Sequence, residues 1–343
     1  MIYVLVSGGI DSLAAARLLR EQQPDVTGLH LLTGYNELSP PAVAQLSQRA
    51  GIPVETLDCR SSFESAVVKY FVDAYCRGET PNPCIRCNME IKFGMALDYA
   101  RQQGVDTIAT GHYCRIMKTD VGPVLRRGKD AAKDQSYFLA FLSSGQLQHS
   151  CFPLGAWTKE AVREMAAAND LAPVLRKESQ DICFIPPGTS YGELIQQRLD
   201  RPPCPGEIED MAGNIIGSHP GVHRFTIGQR RGINCPARVP YYVAVIDVSA
   251  NRIRVGTREQ LLVSRCRLRK VNWLDRPGMS RAAYSVQVRY QHCPAAAAVE
   301  AGPDDTAVVV FDKPQFGITP GQGAVLYTGD QVAGAGIIAE SVP

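Results

Sequence analysis

The residues best suited to chemistry stand in two short stretches and one isolated position. Ser7-Gly-Gly-Ile-Asp-Ser12 is a polar, glycine-rich turn. Gly8 and Gly9 let a polyphosphate approach the backbone without side-chain obstruction. A helix starting near Ser12 would aim its unpaired amides and positive dipole end at the same anion. Ser7 and Ser12 add hydroxyl donors. Asp11 brings a carboxylate among phosphates, which calls for a cation between them, so Asp11 reads as a magnesium ligand. No Gly-Lys-Ser/Thr follows, which excludes a Walker loop, and the plain alternative is an ordinary strand-turn-helix junction.

The second stretch is Thr80-Pro-Asn-Pro-Cys-Ile-Arg-Cys-Asn88, whose prolines predict an extended turn and whose two thiols stand three residues apart. Such a pair is half a structural zinc site, a redox dithiol, or part of an iron-sulfur ligand set. A structural zinc would need a second close pair of ligands, and the chain's other cysteines, out of 11, are all isolated. The isolated position is Cys183, within Glu178-Ser-Gln-Asp-Ile-Cys-Phe-Ile185, predicted as a loop running into a strand. Local sequence allows a packed cysteine between Ile182 and Phe184, but Pro186 and Pro187 put it near the end of an element, where exposure is expected.

Other stretches are less specific. Ala109-Thr-Gly-His-Tyr113 ends a strand with a glycine, Gly111, that permits contact with adenine or ribose. Lys133-Asp-Gln-Ser-Tyr-Phe138 follows Arg126-Arg127-Gly-Lys129 and reads either as a solvated helix start or as a track for a nucleic-acid backbone. His223-Arg-Phe-Thr-Ile-Gly-Gln-Arg-Arg231 and Arg265-Cys-Arg-Leu-Arg-Lys270 are solvated strand faces or an RNA surface.

The elements that must position these residues follow from periodicity. Strands are predicted near 2–6, 26–32, 53–58 and 106–110, and helices near 12–22, 40–50, 61–76 and 89–103. A further helix near 165–172 is entered through Trp157-Thr-Lys-Glu160, with a cap at Thr158. This α/β alternation predicts a doubly wound parallel sheet over residues 1–201, with its crevice beyond the carboxyl ends of the strands. Arg201-Pro-Pro-Cys-Pro-Gly206 has linker composition. Short β-rich runs then predict two small β domains, 202–262 and 263–343, with a break near Leu262 to Arg269.

The 343 residues suit two or three domains, and a net charge of +2 means that any nucleic-acid surface must be a local patch. No apolar run has the length of a bilayer span, so no membrane partner is expected. The first strand begins at Ile2, which predicts a cytoplasmic protein, where isolated cysteines stay reduced.

Ser7–Ser12 resembles the PP-loop of the ATP pyrophosphatases. The whole set, with Ile91-Lys-Phe93, Thr226-Ile-Gly-Gln-Arg230, Thr319-Pro-Gly-Gln322 and Gly334-Ala-Gly-Ile-Ile338 added in order, resembles the tRNA-specific 2-thiouridylases, the MnmA family. The resemblance implies ATP- and magnesium-dependent exchange of oxygen for sulfur on the wobble uridine of tRNA. It assigns ATP to Leu5, Val6, Ser7, Gly8, Gly9, Ile10, Asp11, Ser12, Leu31 and Gly111. It assigns the target base to Asn82, Pro83 and Cys84, and tRNA to His112, Lys133, Asp134, Gln135, Arg289, Tyr290 and Gln322. Cys87 becomes the nucleophile, with a lowered thiol pKa, and Cys183 the persulfide carrier.

Two features depart from the family pattern. The family's longer loop with an Asn-Trp pair is replaced by Leu32-Thr-Gly-Tyr-Asn-Glu37, and many members carry Asp where Cys84 stands. Two sulfur schemes follow: a Cys183 persulfide fed by a carrier protein, or a [4Fe-4S] cluster on Cys84, Cys87 and Cys183 whose open iron takes hydrosulfide. The third thiol favours the cluster. Competing classes are an amide-forming PP-loop synthetase, which would not need convergent thiols, and a non-catalytic tRNA-binding protein, which would not need an intact phosphate loop.

Overall fold

The computed structural model describes residues 1–35, 37–171, 173–174, 182–199, 202–236, 238–275 and 282–342. These form two compact units. The first comprises Met1–Val68, Cys84–Phe184 and Gly329–Ala333, and the second Lys69–Pro83, Ile185–Thr328 and Gly334–Pro343.

The first unit is built on the strands β1 (Ile2–Leu5), β2 (Val26–Leu32), β3 (Val54–Asp58), β4 (Ile108–Ala109) and β7 (Ser150–Cys151), ordered β3-β2-β1-β4-β7. All neighbours are parallel, with Tyr3 opposite Thr27 on one side and Ile108 on the other. The chain winds outward from β1 in both directions, so the end of β1 is the switch point of the sheet, where an open α/β fold forms its ligand crevice. Ser7–Ser12 lies there. The helix Ile10–Gln22 packs Leu13, Ala14, Ala15, Ala16, Leu18 and Leu19 with Val4 and Val6 in one core. The hairpin β5 (Cys114–Thr119) and β6 (Gly122–Arg127) completes the unit, with Gln331 opposite Arg126.

Several local expectations change. The Pro81–Cys87 stretch is not extended throughout: Pro83–Arg86 is an α-helical turn, continued by a π-helix Cys87–Met95 and an α-helix Ala96–Gln102. Proline suits a first helical turn, where its missing N–H costs nothing. The late helix spans Lys159–Ala168 instead of 165–172, because the Thr158 side chain accepts from the Ala161 amide and starts it early. Cys183 lies in a turn with no strand after it. Asn36, Ala172 and residues 178–181, including Asp181, lie outside the described residues.

The second unit holds a four-stranded sheet and a barrel. The sheet is ordered β10 (Tyr242–Asp247), β11 (Arg252–Gly256), β8 (Gly206–Glu209), β9 (Ile215–His219) around Ile208, Val243, Ile253 and Val255. The barrel runs β12 (Leu262–Trp273), β15 (Ala307–Phe316), β14 (Ala295–Ala301), β13 (Ala282–Gln287), β16 (Gly323–Thr328), β17 (Gln331–Val342) and closes by pairing β12 with β17. The four-stranded sheet ends at Gly256 and the barrel begins at Leu262, so Leu262–Arg269, near the expected domain break, is the start of the barrel's first strand. Arg265 and Arg267 point outward while Cys266 and Leu268 are buried, the alternation of a barrel wall. Among the described residues no helix is long and apolar enough to cross a membrane.

Candidate active site

The phosphate loop is made by backbone. Gly8 has φ of 86°, in the left-handed region, and Gly9 is an extended N-cap without a side-chain capping bond. The first amides of a 13-residue helix thus lie at the sheet's switch point with no capping bond from the N-cap residue. Ser12 Oγ donates to the Gly9 carbonyl at 2.8 Å and accepts the Ser7 amide at 3.2 Å, which fixes the loop's curvature. Gly111 presses against the loop from β4: a Cβ there would stand 2.8 Å from the Asp11 carbonyl oxygen. This cradle, open at Gly9 and closed to any side chain at Gly111, fits a polyphosphate.

Around it, Leu5 and Val6 are buried, Ile10 is half-buried, and Leu31 is half-buried near the end of β2. Next to Leu31, buried His30 places Nδ1 2.8 Å from the Val6 carbonyl, while its Nε2 has no hydrogen-bond partner among the described residues.

Asp11 already holds a cation. Lys159 Nζ lies 2.8 Å from both carboxylate oxygens, and the Tyr113 hydroxyl donates to Oδ1 at 2.7 Å. The cation expected beside this carboxylate is, in this structure, the Lys159 ammonium. Neither Lys159 nor Tyr113 was singled out from the sequence as part of the site. A signal existed, since a lysine in a helix's first turn opposes the helix dipole and needs some other reason to be there.

Cys84 and Cys87 sit three residues apart on adjoining helical turns, hence on one face. Cys183 feels both of them, since like charge on Cys87 and Cys84 adds to the rise of its pKa. Cys84 and Cys183 are exposed and Cys87 is half-buried, each in surroundings crowded enough to disfavour the thiolate. Burial therefore raises every one of them, Cys183 to about 12, and the like charge of Cys87 and Cys84 adds to the effect there. The expectation of a lowered Cys87 pKa is overturned: desolvation outweighs the helpful cation, the Lys92 ammonium, which only partly offsets it. Lys92, within Ile91-Lys-Phe93, is the cation that acts on all three thiols. Among the described residues no group of three or more His, Cys, Asp or Glu is arranged to hold a metal ion, so a ready three-thiolate cluster site is not assembled.

His112 sits against Phe93 and Phe152, with Nδ1 2.7 Å from the Thr110 hydroxyl. Burial, aided by Lys92, holds its pKa well below the usual histidine value, so the ring is neutral. Asp134 is 7% exposed and accepts from Arg127, from the Gly128 and Ser136 amides and from the Ser136 hydroxyl. It orders its loop from within. Gln135 brackets Tyr113, accepting its amide and donating its own amide to its carbonyl, while Lys133 is half-buried.

The remaining residues lie in the second unit. There Gln322 Nε2 donates to the Thr80 carbonyl at 2.9 Å, and Arg289 donates to the Ile227 carbonyl and the Thr319 hydroxyl. Tyr290 accepts from Gln287 through its carbonyl. Asn82 is half-buried and Pro83 buried.

Known proteins match along the whole chain. A family model described as the tRNA methyl transferase HUP domain matches residues 1–187, one described as the tRNA methyl transferase PRC-barrel domain matches 193–257, and one described as an aminomethyltransferase beta-barrel domain matches 263–338. The tRNA-specific 2-thiouridylase MnmA of Desulfosudis oleivorans is 53% identical over 340 residues, covering 98% of this chain and 94% of that one. The proteins of the same name from Synechocystis and Desulfotalea psychrophila are 41% and 40% identical, each over 98% of this chain and over 96% and 98% of their own lengths. With relatives this similar end to end, and with the sheet and barrel that the three family models describe, the chain belongs to the MnmA family of tRNA-specific 2-thiouridylases.

Proposed function

We propose that this protein uses ATP to replace the C2 oxygen of the wobble uridine in tRNA with sulfur, acting in the cytoplasm. The observation that carries this reading is one compact unit holding both a glycine-shaped phosphate cradle at a helix start and the three thiols Cys84, Cys87 and Cys183. An amide-forming synthetase has no use for the thiols, and a binding-only protein has none for the cradle.

In this reading the uridine oxygen attacks the α-phosphate of ATP bound at Ser7–Ser12, and pyrophosphate leaves. The loop amides balance the charge that develops on the phosphates. Magnesium, when bound with ATP, would screen that charge, and Asp11 is the carboxylate that would hold it. Cys183 receives a sulfane sulfur from a persulfide donor. The Cys87 thiolate attacks the inner sulfur of that persulfide, forming a Cys87–Cys183 disulfide and releasing hydrosulfide. Hydrosulfide adds to C2, AMP departs with the former oxygen, and an external thiol reduces the disulfide. Because burial holds Cys87 protonated near neutral pH, Lys92 is the group that favours its thiolate.

A second reading, a [4Fe-4S] cluster on the three cysteines, is favoured by one observation: Cys84 acts electrostatically on both Cys87 and Cys183. The two readings separate on Cys84→Ala in protein purified without oxygen. The persulfide route expects iron-free protein with near-normal thiolation, whereas the cluster expects visible absorption and thiolation lost together.

For tRNA, the outward arginines of β12 and the neighbourhood of Lys133 are the proposed contacts. Affinity should fall steeply with salt. Salt-insensitive binding would refute this assignment.

A further inference from the structure

We infer that Tyr35 is a positioning residue: with Phe63 it forms an aromatic socket that takes the Phe184 ring and so holds Cys183 for its exchange with Cys87. This rests on the reading of Cys87 and Cys183 as the sulfur-transfer pair and deepens it.

The turn that carries Cys183 is anchored at one residue. Among residues 182–188, Phe184 alone is buried, while Cys183 beside it is exposed. The Phe184 ring meets Phe63 edge-on, with centroids 6.1 Å apart and planes at 74°, and meets Tyr35 at 6.0 Å and 60°. Tyr35 and Phe63 are themselves 5.7 Å apart, so the three rings close into a triangle. Edge-on and tilted pairs are the favoured arrangement of aromatic rings and stabilise beyond the area they bury.

Each wall of the socket is fixed from its own side. Phe63 ends the helical turn Arg60–Phe63 that follows β3, is 1% exposed, and donates its amide to the Cys59 carbonyl. Tyr35 follows β2, where Gly34, at φ of 84°, turns the chain and the Thr33 hydroxyl donates to the Tyr35 carbonyl. The Tyr35 hydroxyl donates to Glu64 Oε2 at 2.8 Å, tying this ring to the residue after Phe63. The walls thus come from the ends of adjacent strands of the parallel sheet and lend its rigidity to a turn far along the chain.

Consecutive Cα atoms stand about 3.8 Å apart, so a seated Phe184 leaves Cys183 little freedom of position. A thiol held in place meets its partner at a raised effective concentration, and a turn released from the socket loses that advantage. A ring with a structural role alone would affect stability and leave the Cys87–Cys183 equilibrium unchanged.

The test is that equilibrium, set against glutathione on the full chain with EDTA present and read by mass spectrometry of the linked peptide. The two thiols and one glutathione disulfide give the protein disulfide and two reduced glutathiones. Tyr35→Leu should lower the equilibrium constant for the protein disulfide about five- to tenfold, a rise in its reduction potential of up to about 30 mV. Phe184→Leu should lower it in the same way from the turn's own side. Leucine keeps both positions apolar and the fold intact. Tyr35→Phe keeps the ring and should stay within about twofold of the parent. A parental constant in either leucine variant would overturn the inference while leaving the sulfur-transfer pair standing, as would a Tyr35→Phe protein as impaired as Tyr35→Leu. Failure of the parent protein to form the Cys87–Cys183 disulfide would overturn the reading of that pair itself.

Discussion

The phosphate loop and the thiol cleft lie in the same compact unit but are built from different materials. The loop is six consecutive residues whose working groups are backbone amides, shaped by the φ of Gly8 and by the close approach of Gly111. The cleft draws Cys84 and Cys87 from one helix and Cys183 from a turn about a hundred residues on, and its chemistry depends on side chains whose ionisation burial opposes. A backbone site keeps its donors whatever the dielectric around it. A thiol site in crowded surroundings needs a cation, here Lys92, to become reactive.

The largest effect should come from separating the two regions. Cys87→Ala and Cys183→Ala should abolish thiolation while leaving tRNA-dependent pyrophosphate release close to normal, read by nucleoside mass spectrometry beside a pyrophosphate assay. Loss of both activities together would show that the cleft and loop are not distinct parts. In the other direction, Asp11→Ala should lower pyrophosphate release about 10²- to 10³-fold, as removal of preorganised charge does elsewhere.

This contrast explains what the sequence made legible. A glycine-rich turn between an apolar run and a helix is local information, so the loop, the parallel sheet and the early strands were readable within a few residues. The partner of Asp11 was not. Lys159 lies 148 residues away, and Trp157-Thr-Lys-Glu160 was read only for its cap. The Cys87 pKa was misjudged for a related reason: a neighbouring lysine is visible in Ile91-Lys-Phe93, but the depth of burial that outweighs it is a property of the folded unit. Likewise Asp134 looked like a surface acid in a polar run and is an interior acceptor of four hydrogen bonds.

A smaller effect sharpens the backbone side of the comparison. Gly111→Ala should cost about 1–3 kcal/mol of stability, because its Cβ meets backbone that cannot easily shift, and should weaken ATP binding. Denaturant unfolding measures the first and calorimetry the second. An alanine variant as stable as the parent would mean that the loop is looser than its geometry implies.

The smallest effect concerns the thiols. With raised pKa values, the thiolate fraction is low at pH 7 and grows with each unit of pH, so iodoacetamide labelling of Cys87 and Cys183 should accelerate steadily from pH 7 to 10. Lys92→Met should slow Cys87 labelling further at any pH in that range, by a few-fold if its charge acts at a partly screened distance. A labelling rate already at its plateau by pH 7 would mean that the cleft lowers its thiol pKa values after all.

The most direct test of the account is to supply the purified protein with unmodified tRNA, ATP, magnesium and a persulfide donor, then digest the tRNA and count products. The account predicts 2-thiouridine at the wobble position, with AMP and pyrophosphate formed in equal amounts to it. AMP formed with no sulfur in the tRNA, or sulfur incorporated with no ATP consumed, would contradict it.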